Sequence, residues 1–139
     1  MSTSGTFTVQ LGRFAEVTKL RVDVVVRKIA IDMLSRIVLR TPVDTGRARA
    51  NWVVSIGVRP TLISRDAGDP SGRTTIEKGT RILLGYQGAI TTAWLTNGLP
   101  YILPLENGSS KQAPGGMVRL TVQEFRELVD RAVRDARGQ

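Results

Sequence analysis

No cysteine and no histidine occur anywhere in this chain of 139 residues. The first absence excludes disulfides, thiol nucleophiles and thiolate zinc sites. The second removes the side chain best suited to general base chemistry near neutral pH, and the commonest transition-metal ligand. Aromatic residues make up only 5% of the chain, too few for a nucleic-acid platform built on base stacking. No apolar run approaches the ~20 residues that a membrane-spanning helix needs, and the opening Met-Ser-Thr-Ser-Gly-Thr lacks the basic start and apolar stretch of a secretory signal. No phosphate-cradling glycine loop ending in Lys-Ser/Thr is present, and no GxGxxG follows a strand. The acidic residues are scattered. Their close groupings are Asp66 with Asp69, and Glu124 with Glu127 and Asp130, neither of which forms an obvious metal cluster. These absences together argue against an enzyme, a cofactor and a metal site.

What is present is positive charge. Lys and Arg number 20 against 12 acidic residues, a net charge of +8. Such an excess favours polyanionic partners through long-range attraction and counterion release. Sixteen of the twenty cations are arginine, the side chain best matched to phosphate forks and interface ion pairs.

Length and composition fit one globular domain. Thr6–Leu11 alternates with period two, as a short strand or extended arm within residues 1–12. From Arg13 to Leu39 the pattern turns helical, with two apolar arcs. One holds Val17, Leu20, Val24, Ile31, Leu34 and Val38; the other holds Val22, Val26, Ile29, Met33 and Ile37. A second arc needs a second cover, either another helix of the same chain or a neighbouring subunit, and the latter makes Val22, Val26, Ile29, Met33 and Ile37 candidate oligomer-interface residues.

The helix must end at Thr41-Pro42. Asp44-Thr45-Gly46 supplies turn chemistry, with an Asx-type bond from Asp44. A short turn over Arg47–Asn51 leads to a strand through Trp52–Val58. Pro42, Asp44, Gly46 and Trp52 thus read as structural, and Arg47 and Arg49 as candidates for contact with a neighbour or with DNA. Residues 59–75, rich in Gly, Pro, Ser and Asp, read as a long mobile loop, from which Ala67–Arg73 should be removable without loss of folding. Ile76–Leu84 is open between helix and strand, and Ile90–Thr96 is β-prone. Pro100–Asn107 suits one or two helical turns closed by Gly108, where Glu106 is expected to satisfy a local arginine or a turn amide. Residues 109–116 read as a flexible connector. Thr121 and Glu124 form a capping-box pattern opening a last helix, with Val122, Phe125, Val129, Ala132 and Ala136 as its apolar stripe and Glu127–Arg131 as a favourable pair. The expected class is α+β, a long N-terminal and a C-terminal helix on a small, mainly antiparallel sheet.

Two stretches carry a resemblance. Thr41-Pro42-Val43-Asp44-Thr45-Gly46-Arg47-Ala48-Arg49-Ala50-Asn51-Trp52 follows the long helix, and Pro100-Tyr101-Ile102-Leu103-Pro104-Leu105-Glu106-Asn107-Gly108-Ser109-Ser110-Lys111 stands downstream. Together they resemble the neck and tail-completion (head–tail joining) proteins of tailed bacteriophages, which carry a similar TPVDTGR turn and a later PYAxYLExGT-like stretch. The likeness runs from about residue 14 to 137, and departs from the family pattern at Ile102, Leu103 and Pro104. It implies a non-enzymatic virion subunit, made in the host cytoplasm and forming a ring, drawn as a hexamer. That ring would contact other neck and tail-tube proteins, and genomic DNA only transiently. A tail-terminator or adaptor ring at another level of the neck is the alternative within that setting; a free DNA-binding protein is the alternative outside it.

Overall fold

The expected helix appears as α1 (Val22–Arg40) in the computed structural model, which describes residues 7–10, 22–60, 66–88, 90 and 92–137. For 7–10, 22–24, 126, 136 and 137 only the backbone is described, and the helical pattern read over 13–21 lies outside this set. The order of the remaining elements is β1 (Phe7–Gln10), before α1, then α2 (Arg47–Ala50), β2 (Trp52–Ile56), α3 (Arg73–Gly85), β3 (Thr92–Asn97), α4 (Ile102–Glu106), α5 (Val118–Gln123) and α6 (Phe125–Arg137). The class is α+β.

The sheet has the order β1-β3-β2 and is antiparallel throughout. Trp52, Val54 and Ile56 stand opposite Asn97, Leu95 and Ala93, so one face of the β2–β3 pair is apolar and capped at one end by Asn97. That face joins Leu83 of α3 and the interior of α1 in one core. The helix lying directly on the sheet is α3, against β2; α6 packs on α1 and on α5. The segment open between helix and strand is therefore a helix, packed on both α1 and β2. The reason is Gly79. A Cβ there would fall 2.4 Å from Leu34 and 2.8 Å from Val54, so the missing side chain lets α3 close on α1 and β2 together.

Among the described residues, both arcs of α1 are covered within the chain, with Ile31 half-buried. Leu34 and Val38 are buried, and so are Val26, Ile29, Met33 and Ile37, with Leu128 and Ala132 of α6 in the same core. These four candidate interface residues are core residues, because α3 and α6 pack on α1 from within the chain. Val22 belongs to the backbone-only part of α1.

The C-terminal region starts earlier than its capping box suggests. α5 begins at Val118, and Thr121 is buried inside it with its hydroxyl donating to Met117 O at 2.8 Å. Glu124 sits at the break before α6 and meets Arg36 and Arg40 instead of capping. On α6 the buried residues are Leu128 and Ala132; Phe125 and Val129 are half-buried, and Val122 on α5 is exposed. The Glu127–Arg131 pair forms, at 2.8 Å.

Candidate interaction surface at the junction of the two motif segments

The end of α1 leaves carbonyl oxygens without helical partners, and the 41–52 segment supplies donors to them. The Thr41 amide donates to Val38 O at 3.1 Å, and the Thr41 hydroxyl to Ile37 O at 2.7 Å. Arg49 donates from Nη2 to Leu39 O and from Nε to Thr41 O, each at 2.9 Å. Its third nitrogen donates to Pro70 O at 2.8 Å. A cation at a helix C-terminus also opposes the negative end of the macrodipole. Arg49 is thus a clamp between α1 and the 66–72 segment, with its guanidinium consumed inside the chain. Arg47 is half-buried and engaged within the molecule as well. The Arg49 guanidinium is therefore held by the chain's own carbonyls and not left for a neighbour or a DNA channel.

The structural residues of the turn behave unequally. Trp52 is 3% exposed, and its indole N–H donates to the Thr41 hydroxyl at 2.8 Å, tying β2 to the helix end. Gly46 has φ +83°, and a Cβ on it would meet backbone atoms of Asp69 and Pro70 at 2.4–2.7 Å. Only glycine fits there. Pro42 follows the helix end as expected. The side-chain acceptor in the turn is Thr45, whose hydroxyl takes the Arg47 amide at 3.3 Å; Asp44 stands exposed.

Of the long loop read over 59–75, residues 73–75 belong to α3 and Asp69 ties the 66–72 stretch to its surroundings. The Asp69 amide donates to Gly46 O at 3.0 Å. Its carboxylate accepts both the Thr75 amide and the Thr75 hydroxyl at 2.7 Å, capping the start of α3. Burial pushes the Asp69 carboxyl up, but the hydrogen bonds from Thr75, with those of the Thr74 and Gly72 amides, outweigh it and hold its pKa below the usual value. The segment thus has tertiary contacts that the reading of a loose loop did not foresee, and deletion of Ala67–Arg73 would take away the Asp69 cap of α3 and the backbone on which Gly46 closes.

The second motif folds as read and then locks onto the first. α4 closes at Gly108, φ +88°, with the Gly108 amide on Leu105 O at 3.1 Å and the Ser109 amide on Pro104 O at 3.0 Å. Glu106 is 5% exposed and meets turn amides, not an arginine: Oε1 accepts Met117 and Val118 N–H, and Oε2 accepts Arg119 N–H, all at 2.9 Å. It is the cap of α5. The 109–116 segment is no loose connector, since Gln112 grips both backbone groups of Val43, accepting its amide at 2.8 Å and donating to its carbonyl at 2.9 Å. Asn97, fully buried, donates to Ala48 O at 2.9 Å and accepts the Leu99 amide at 3.0 Å.

Segments 41–52 and 97–112 thus form one interlocked unit, with a shallow cleft between Pro42, Val43, Thr45, Tyr101, Leu105 and Gln112. Its buried polar groups are consumed internally, while Asp44 and Tyr101 on the cleft, and Leu103 and Pro104 on α4, are exposed. Tyrosine and leucine around a polar turn suit docking of another protein. Sequence reading missed Gln112 and Asn97, whose partners lie 69 and 49 residues away. No local spacing announces such contacts. Among the described residues, no group of three or more acidic side chains is placed to hold a metal ion, and no helix is long and apolar enough to cross a membrane. No family model, curated protein or solved structure matches the chain.

Proposed function

We propose that this chain is a structural subunit of the neck or tail-completion region of a tailed bacteriophage. Copies form a ring that joins or completes the tail and lets the genome pass. The observation that carries this reading is the convergence of the two resembling stretches. Thr41–Trp52 and Pro100–Lys111 lie far apart in sequence, yet Pro42, Val43 and Thr45 meet Tyr101, Leu105 and Ser110 around one shallow cleft, tied by Gln112 just beyond the second stretch, with Tyr101 and Leu103 exposed. A motif pair whose inner groups hold the fold and whose outer groups face solvent suits a subunit that presents a rigid docking surface. It does not suit a reaction centre, which needs reactive groups left free.

The corrected burial of α1 moves the expected neighbour contacts from the helix to the exposed Tyr101 and Leu103. Net positive charge remains a reason to expect DNA in the lumen, and attraction to phosphates without base readout leaves a duplex free to slide.

Light scattering on the purified protein, alone and with tail tubes of the cognate phage, tests the reading. Either a ring in free solution or assembly on the tube is the expected result. A chain that stays monomeric with tubes present would sink it.

A further inference from the structure

We propose that the exposed side of α3, carrying Arg73, Lys78 and Arg81, is the surface on which this chain binds the phosphate backbone of duplex DNA. The proposal draws its biological setting from the neck reading, but the binding is a property of the chain itself.

Several of the cations are already committed within the chain. Arg49 spends its guanidinium on Leu39, Thr41 and Pro70 carbonyls. Arg27 reaches the carbonyls of Leu83, Tyr86 and Gly88, closing the C-terminal end of α3. Arg36 and Arg40 hold Glu124, Arg131 holds Glu127, and Lys28 lies beside Asp32 and Asp135. A phosphate could recruit these groups only by breaking contacts the fold uses. Arg73, Lys78 and Arg81 are different. Unlike Lys111, Arg119 and Arg134, which are also exposed but lie on separate segments, they share one helix. All three are exposed, and among the described residues their side chains have neither an ion-pair nor a hydrogen-bond partner.

Their placement on one helix follows from its period. At 100° per residue, Arg73, Arg81 and Lys78 fall within an arc of about 140°, spread over about 12 Å of helix. The opposite side holds the buried Thr75, Gly79 and Leu83, which fix α3 on α1 and β2, so the basic side is turned to solvent by the packing itself. Duplex DNA carries a charge every ~1.7 Å of its axis. Three cations along such a length neutralise only a fraction of the phosphates they span, and binding stays exchangeable. No aromatic residue stands within the arc, and no base-reading geometry is offered. Glu77 lies between Arg73 and Arg81 and weakens the field, which suits a genome that must move. Leu84, 62% exposed at the end of the same helix, makes an acidic protein surface the rival occupant.

Anisotropy of a labelled random-sequence duplex, titrated with the full chain at several salt concentrations, decides between them. The triple variant Arg73→Gln, Lys78→Gln, Arg81→Gln should bind at least about tenfold more weakly at low salt. Its log–log salt slope should be shallower by about 3 per contacting subunit. The equally charged control Lys111→Gln, Arg119→Gln, Arg134→Gln, also at exposed positions, should stay within about threefold of wild type, and Glu77→Gln should bind more tightly. All four positions on α3 are solvent-exposed, so circular dichroism should report unchanged folding. Equal weakening by both triple variants would overturn the proposal, since bulk charge would then suffice. So would a wild-type chain that ignores duplex while the α3 variant loses ring assembly, the signature of an acidic protein partner. A chain that binds duplex through α3 but stays monomeric on tail tubes keeps this inference and removes the neck reading; rings without α3-dependent binding do the reverse.

Discussion

Glu106 is a buried carboxylate whose two oxygens accept three backbone amides at the start of α5. A negative group at a helix N-terminus is stabilised both by those N–H donors and by the positive end of the macrodipole. Replacing it with Ala leaves three amides facing a void, at a cost of about 2–4 kcal/mol. Glu106→Gln, which keeps one acceptor oxygen, should fall between. Urea unfolding checks the order, and an Ala variant within about 0.5 kcal/mol of wild type would remove the capping role. Arg49 shows the same logic at the other polarity, a cation on the carbonyl end of α1. The residue types at these places were legible as charged or turn-forming. Their partners were not, because a carboxylate reads the same in sequence whether it faces solvent, an arginine or three amides.

Elements in this protein are set by close approach as much as by propensity. Glycine inside a helix ordinarily costs about 1 kcal/mol relative to alanine, so Gly→Ala in a helix should stabilise. Gly79 inverts that rule, because its Cβ would enter the space of Leu34 and Val54, while Gly85 at the end of α3 has nothing within 4 Å of a Cβ. Gly79→Ala should therefore lower stability by about 1–3 kcal/mol, and Gly85→Ala should leave it unchanged or raise it by up to about 1 kcal/mol. Thermal unfolding of the two single variants checks this; stabilisation by Gly79→Ala would contradict the packing of α3 described above. The apolar pattern announced α1, the strand from Trp52, the strand found at Thr92–Asn97 within a run read as Ile90–Thr96, and a C-terminal helix. It left α3 open, since Arg73–Gly85 mixes β-branched residues, a central glycine and an exposed leucine. It also placed the last helical region three residues late, taking Thr121 and Glu124 for a cap.

At the scale of the whole molecule, two acidic residues join separate parts, Asp69 with its amide and its carboxylate and Glu124 with its carboxylate. Asp69 joins the Gly46 turn to α3, and Glu124 joins the α5–α6 break to α1. The Arg40 hydrogen bond, more than offsetting burial and aided by the charges of Arg40 and Arg36, holds the Glu124 pKa below its usual value, as the bonds from Thr75 do for Asp69. A carboxyl whose folded pKa is depressed binds fewer protons folded than unfolded. Its contribution is complete above the unfolded value of about 4 and is lost as pH falls through the folded one. Stability should thus be level from about pH 5 to 7 and fall below about pH 4, and the double variant Asp69→Asn, Glu124→Gln should flatten that acid limb. Denaturant midpoints at pH 7 and pH 3 measure it, and an unchanged acid limb in the double variant would show that other groups carry it.

The sequence by itself determined the α+β class, the end of α1 at Thr41-Pro42, the turn around Gly46, the helical turns closed by Gly108, and the surplus of positive charge. All of these rest on local chemistry: periodicity, ring constraints, positive φ and composition. Tertiary structure alone decided that Val26, Ile29, Met33 and Ile37 are core, that Arg49 is a clamp, that residues 66–72 and 109–116 are pinned, and that Arg73, Lys78 and Arg81 are left free. Those outcomes depend on what lies near in space, from 8 residues away for an Arg49 bond to 69 for Gln112, and the meaning of an apolar arc or a charge is settled only by what the folded chain brings against it.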